Sequence, residues 1–155
     1  MKSKLKLHDS LKLIKNFKTT GTITPSSKKL VERLLAPIDF SETLLIAELG
    51  PGNGCITKAL LERMNKKSIL LCLEVNQDFA SELKSINDSR LRVFNSCASS
   101  MKAVLEDMGV AEVDHIVSSL PLALIKEDLL SNILSSARSN LKDGGRFLQY
   151  QYSLA

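Results

Sequence analysis

The chain has no tryptophan, two tyrosines and five phenylalanines in 155 residues, so aromatic side chains make up only 5% of it. Surfaces that stack successive nucleobases depend on such rings, and a stacking platform for single-stranded nucleic acid is therefore a poor fit. The three cysteines, Cys55, Cys72 and Cys97, are odd in number, widely spaced and without a C-x-x-C pair. That pattern gives neither a disulfide framework nor a zinc site, so no metal is expected and all three read as buried small residues. No apolar run approaches the roughly 20 residues that cross a bilayer. The N-terminus has lysines but no long apolar core and no small-residue cleavage site, which predicts a cytoplasmic protein. No internal repeat is present, and His115, within a strand pattern, reads as structural.

What is present fits one domain with a real core, because 44% of the residues are hydrophobic and 25% charged. The net charge of +4 hides an asymmetry. Residues 1–35 hold nine Lys/Arg against Asp9 and Glu32, while the remainder holds twelve against fifteen acids. Such a basic front end is a solvated face or meets an anionic surface, either lipid headgroups or nucleic-acid phosphates. Within it, Leu7, Leu11, Ile14 and Phe17 recur at helical spacing among lysines, predicting a basic amphipathic helix over 5–18. A break at "TTGTITPSS" is followed by a second helix in "SSKKLVERLLAPI", with Ser26 or Ser27 as N-cap and Pro37 beyond its end. Residues 1–40 are thus a helical preface to a domain spanning 41–155.

Five strands are expected in "LLIAEL", "ILLCLEV", "LRVFNS", "DHIVSSL" and "RFLQYQYS". Several are continuous apolar runs suited to a sheet covered on both faces. Helical patterns separate them: Ile56–Leu60–Met64, Phe79–Leu83–Ile86, Met101–Val104–Leu105–Met108 and Ile133–Ala137–Leu141. Alternation of this kind predicts an α/β fold with a mostly parallel sheet, whose ligands lie beyond the carboxyl ends of the strands.

The loop after the first strand is the richest in chemistry. "IAELGPGNGCITKAL" places Glu48 before Gly50, Pro51, Gly52 and Gly54, three glycines in five residues, and the next strand ends in a second acid, Glu74, followed by Val75. Glycine there permits a tight turn and close backbone approach to a ligand. It is not the dinucleotide fingerprint, since Cys55 stands where the third glycine belongs, and no G-K-[ST] makes it a P-loop.

Acid-x-Gly-x-Gly-x-Gly with an acid ending the next strand resembles the first two motifs of class I S-adenosylmethionine-dependent methyltransferases, over nearly the whole chain from Gly21 onward. The resemblance implies a Rossmann-like sheet and S-adenosylmethionine as cofactor. It also implies that the glycine loop packs against the methionine and ribose portion, that Glu74 accepts hydrogen bonds from the ribose hydroxyls, and that Glu48 organises the loop and the cofactor's amino end. Many relatives place an acid after the third strand to receive the adenine amino group; here "VFNSCASSM" offers Cys97 and Ala98. Class I domains usually continue into two further strands, so a truncated chain or a missing terminal hairpin is expected.

The fourth strand ends in "SSLPLALI", residues 118–125. Enzymes that methylate exocyclic base amines present an amide or acid, a proline and then an aromatic ring that stacks on the base. Ser119-Leu120-Pro121-Leu122 keeps only the proline. Together with "GTITPSS", "LEVNQDF" and "LKDGGRFLQYQYS", this stretch is similar to the bacterial phospholipid N-methyltransferases, themselves similar to the ribosomal RNA adenine dimethyltransferases. The first group implies methylation of phosphatidylethanolamine at the inner membrane surface, where the basic amphipathic helix would dock; the second implies an RNA adenine acceptor. A degenerate binding module of the same fold is the third reading. Ser118, Ser119, Pro121 and Tyr150 are the candidate catalytic residues, Ser118 also lining the cofactor, and Tyr150 and Tyr152 serve equally as sheet packing.

Overall fold

The computed structural model describes residues 25–150, so the helix expected over 5–18 and Tyr152 lie outside the described residues. Helix α1 (Pro25–Leu35) leads into β1 (Leu45–Leu49), α2 (Cys55–Arg63), β2 (Ile69–Leu73), α3 (Gln77–Lys84) and β3 (Leu91–Phe94). A 3-10 turn at Ala98–Ser100 precedes α4 (Met101–Asp107), and β4 (Val113–Ser118), α5 (Glu127–Asn140) and β5 (Leu141–Gln149) complete the order. The strands form one sheet in the order β3-β2-β1-β4-β5, with every pairing parallel. This is the expected Rossmann-like architecture.

Both faces of the sheet are covered, which explains why β1 is buried at all five positions. Ala47, Leu49, Leu71, Leu73 and Ile116 pack on one face against Met101 and Leu105 of α4 and Ile133 and Ala137 of α5. Ile46, Leu70, Cys72 and Val117 pack on the other face against Val31 and Leu35 of α1 and Ile56 and Leu60 of α2. Helix α1 therefore belongs to the sheet's core.

Three boundaries differ from expectation. Helix α1 begins at Pro25, so Ser26 and Ser27 lie in its first turn and are not its N-cap; proline suits that position because the first helical N–H groups lack intrahelical acceptors anyway. Leu141 does not extend α5 but opens β5. Strand β5, expected from Arg146, starts five residues earlier because its ladder is interrupted: Val113 pairs with Leu141, and His115 next pairs with Arg146. The intervening residues bulge around Asp114, whose Oδ2 accepts from the Leu44 and Leu45 amides at 2.9 and 2.8 Å. A side chain at Gly145 would meet the Asp114 carbonyl oxygen at 2.5 Å, so backbone approach here requires glycine. His115 closes the bulge, its Nδ1 accepting the Arg146 amide at 3.1 Å.

Candidate active site at the carboxyl ends of the strands

Strands β1 and β4 are neighbours although β2 and β3 separate them in the chain. Where strand order reverses in this way, the connections diverge and leave a crevice beyond the carboxyl ends. The candidate catalytic and cofactor residues described in the structure lie in or beside that end of the sheet.

The glycine loop has the backbone that its composition requires. Gly50, Gly52 and Gly54 have φ of +68°, +57° and +83°, the left-handed region where other residues are strained. Gly50 donates its amide to the Leu73 carbonyl at 3.0 Å, and a Cβ on it would lie 2.8 Å from Leu120 Cδ2. Gly54 sits as closely against Leu83, where a Cβ would come within 2.9 Å. Pro51 is buried, and its carbonyl accepts the Gly54 amide at 3.0 Å.

Glu74 is 1% exposed just past β2, and its carboxylate fixes the loop that follows the neighbouring β1. Oε1 accepts the Gly52 amide at 2.8 Å and Oε2 accepts the Asn76 amide at 3.0 Å. Asn95, after β3, donates Nδ2 to the carbonyls of Glu74 and Val75 at 2.8 and 3.1 Å and so pins the backbone beside that carboxylate. Glu48 is fully buried and serves the junction of β1 with α2: its Oε1 accepts the Thr57 hydroxyl at 2.5 Å and the Cys72 thiol at 3.5 Å. Burial, reinforced by the nearby Glu48, pushes the Cys72 thiol well above its ordinary range, so it stays protonated and can donate.

Of the three cysteines, only Cys72 is fully buried; Cys55 and Cys97 are half-buried, a correction that follows from their places at the open end of the sheet, in the first turn of α2 and just after β3. Cys97 precedes the turn at Ala98–Ser100, where Ala98 is buried and Ser99 donates its hydroxyl to Cys97 Sγ at 3.2 Å.

On the β4 side, Ser118 and Ser119 are both buried but play different parts. Ser118 Oγ accepts the Leu120 amide at 3.2 Å, and its carbonyl accepts the Tyr150 amide at 2.7 Å. Ser119 donates its amide to Leu49 at 3.0 Å, while its hydroxyl has no hydrogen-bond partner among the described residues. Pro121, Leu122 and Leu124 are half-buried and Ala123 is exposed, an aliphatic turn at the rim. Tyr150 packs against the core face shared by α1 and α2, and burial, with Cys55 adding to it, raises its phenol above the ordinary value of 10.0.

Sequence reasoning missed Thr57, Asn95, Leu120 and Gln149, which act through contacts distant in the chain. Only Gln149 left a trace, a polar residue inside the apolar alternation "FLQYQY".

The ribosomal RNA adenine dimethylase family model matches residues 22–144. The chain belongs to this family. It is an S-adenosylmethionine-dependent methyltransferase. Among curated relatives, the methyltransferase is 26% identical over 140 residues to an ornithine lipid N-methyltransferase of Singulisphaera acidiphila, covering 89% of this chain and 73% of that one. It is 27% identical over 113 residues to ribosomal RNA small subunit methyltransferase A of Mycoplasma capricolum, covering 70% of this chain but only 40% of the relative. Among solved structures, residues 961–1257 of the StiE O-methyltransferase superpose with a TM-score of 0.65 at 17% identity, over 88% of this chain and 50% of that one, a likeness of fold. The ends of β1 and β2 suit the cofactor: three left-handed glycines shape a loop without side chains, and a buried carboxylate stands beside it as a charged acceptor.

Proposed function

We propose that the methyltransferase N-methylates the amine of a membrane lipid headgroup, phosphatidylethanolamine being the expected acceptor. The observation that carries the reading is the aliphatic turn Pro121-Leu122-Ala123-Leu124 directly after β4, beside the buried Ser119 hydroxyl, which has no hydrogen-bond partner among the described residues. A flipped base asks for a flat ring to stack on, whereas an acyl-linked headgroup asks for an apolar rim and a small polar contact. The ornithine lipid relative and the basic, amphipathic front end support the same reading.

In this reading the glycine loop and Glu74 hold S-adenosylmethionine, Glu74 through the ribose hydroxyls, with Val75, Cys97 and Ala98 along the adenine. The cofactor supplies an electrophilic methyl on a sulfonium. Ser119 contacts the acceptor nitrogen; Ser118, whose hydroxyl is already engaged by Leu120, is a positioning residue. The amine must arrive deprotonated, since an ammonium has no lone pair. Tyr150 with its raised pKa is neutral near pH 7 and is a hydrogen-bond donor, not the base, so the proton leaves to solvent. Positioning then supplies much of the acceleration.

The alternative is N6-methylation of adenine in RNA, which the family match and the mycoplasma relative favour; Leu122 in place of an aromatic ring counts against it. Vesicles containing phosphatidylethanolamine and anionic lipid, incubated with the protein and labelled cofactor, test the lipid reading. Label should enter the lipid, and deleting residues 1–18 should remove most vesicle binding. Bound cofactor with no label in lipid would contradict it.

A further inference from the structure

Helix α1 turns Val31 and Leu35 into the core, and helical spacing sets Lys29, Leu30 and Arg33 together on the opposite, outward stripe. Leu30 is 48% exposed there, and Lys29 and Arg33 beside it are exposed as well. Glu32, the one acid on the helix, shares the flank of Lys28. Neither Lys29 nor Arg33 takes part in an ion pair among the described residues.

Charge divides between the two helix layers. Helices α1 and α2, which cover one face of the sheet, carry five basic residues against two acids; α4 and α5, which cover the other, carry two against four. Helix α3 has one lysine against two acids, so the positive charge gathers at α1 and α2. Residues 1–24, which run directly into α1 in the chain, add six lysines against Asp9. Helix α1 packs on β5 as well as on α2, and its core residues share a cluster with Val117 of β4. The basic side therefore lies over the half of the sheet that carries the turn after β4.

We infer that the outward face of α1 is laid on an anionic lipid surface, with Leu30 entering the headgroup region and Lys29 and Arg33 meeting lipid phosphates. The inference rests on the reading of the protein as a lipid methyltransferase and adds the face by which the folded domain meets the membrane. The phosphates of a nucleic acid would satisfy the same two cations but offer nothing to the leucine between them. A bilayer surface satisfies all three, because its headgroup region takes in apolar side chains while its anionic lipids attract the basic ones. The same field turns the acidic layer of α4 and α5 away from the lipid.

The chain has no tryptophan, so a single one introduced by substitution reports on its own surroundings. Leu30→Trp and Leu134→Trp, made separately in the full chain, put that reporter on opposite helix layers at sites of similar exposure, 48% and 41%. With vesicles of phosphatidylethanolamine and phosphatidylglycerol, the reporter at position 30 should shift its emission to the blue and be quenched by lipid brominated in its chains. The reporter at position 134 should emit as it does in water. A basic residue at an anionic surface is worth about fivefold in partitioning. Lys29→Gln combined with Arg33→Gln should therefore weaken vesicle binding about twentyfold, read by sedimentation, whereas Arg138→Gln on α5 should leave it unchanged. Sedimentation needs no reporter and keeps the test decisive should Leu30→Trp fail to fold. Label entering lipid while the reporter at 30 stays unmoved, or vesicle binding indifferent to the paired substitution, would overturn this face and leave lipid methylation standing. An embedded reporter with no label in lipid would uphold the face and overturn the methylation reading. A response at 30 to structured RNA and not to vesicles would overturn the membrane as the partner of α1.

Discussion

Replacing Gly50 by alanine perturbs the glycine loop and the turn after β4 at once, and its cost can be worked from two separate features. The backbone φ of +68° places an L-residue in the left-handed region, which costs about 1–2 kcal/mol. The added Cβ would also lie 2.8 Å from Leu120 Cδ2, well inside the roughly 3.5–4.0 Å at which carbon atoms attract. Leu120 is 4% exposed and its peptide is held at both ends, so it cannot simply swing away, and overpacking of this kind costs about 1–3 kcal/mol. A double-mutant cycle separates the two terms by denaturant unfolding. Leu120→Ala in the same chain should remove the overlap and leave the backbone term, so the pair should couple by about 1–3 kcal/mol. Calorimetry with S-adenosylmethionine should show weaker binding in Gly50→Ala and partial recovery in the double variant. A Gly50→Ala protein within about 0.5 kcal/mol of wild type would refute the reasoning, as would an equal cost with and without Leu120.

Glu74→Ala should weaken S-adenosylmethionine binding by about 1.5–3 kcal/mol per lost charged hydrogen bond, read by calorimetry, with some loss of stability because the Gly52 and Asn76 amides lose their acceptors; unchanged affinity would remove Glu74 from the cofactor site. Ser119→Ala should lower kcat/KM for the acceptor by about tenfold with cofactor affinity and melting temperature unchanged, since its hydroxyl bonds to nothing else among the described residues; equal loss of cofactor affinity would argue that the hydroxyl faces the cofactor instead. Burial holds the His115 pKa below its ordinary 6.5, and Nδ1 must be unprotonated to accept the Arg146 amide. Because the folded value lies below the unfolded one, this stability is full above 6.5 and is lost as pH falls through the folded pKa. Thermal melts should show that slope, and His115→Asn should flatten it.

The fold was legible because its strands announce themselves. Runs such as "LLIAEL" and "ILLCLEV" are apolar on both faces, as a sheet covered on both sides demands, and helical patterns of ordinary length separate them. Strand β5 was read short because its first half is held by contacts that no local pattern encodes: Asp114 reaching the start of β1, and Gly145 passing close to the Asp114 backbone. The glycine loop after β1 was legible for the opposite reason, since left-handed turns leave glycine as a visible mark. The turn after β4 was only half visible. Ser119 and Pro121 follow β4 directly, but the distinction between Ser118 and Ser119 depends on which hydroxyl Leu120 occupies, and Gln149 acts across strands 29 positions away from Leu120.

The proposed function has methyl groups pass from S-adenosylmethionine to a lipid amine at the carboxyl end of β4. The most direct measurement offers radiolabelled cofactor to the protein with phosphatidylethanolamine vesicles and structured RNA together, then separates lipid from nucleic acid. Label should enter the lipid headgroup and be reduced by Ser119→Ala; label in adenine with none in lipid would overturn the lipid reading.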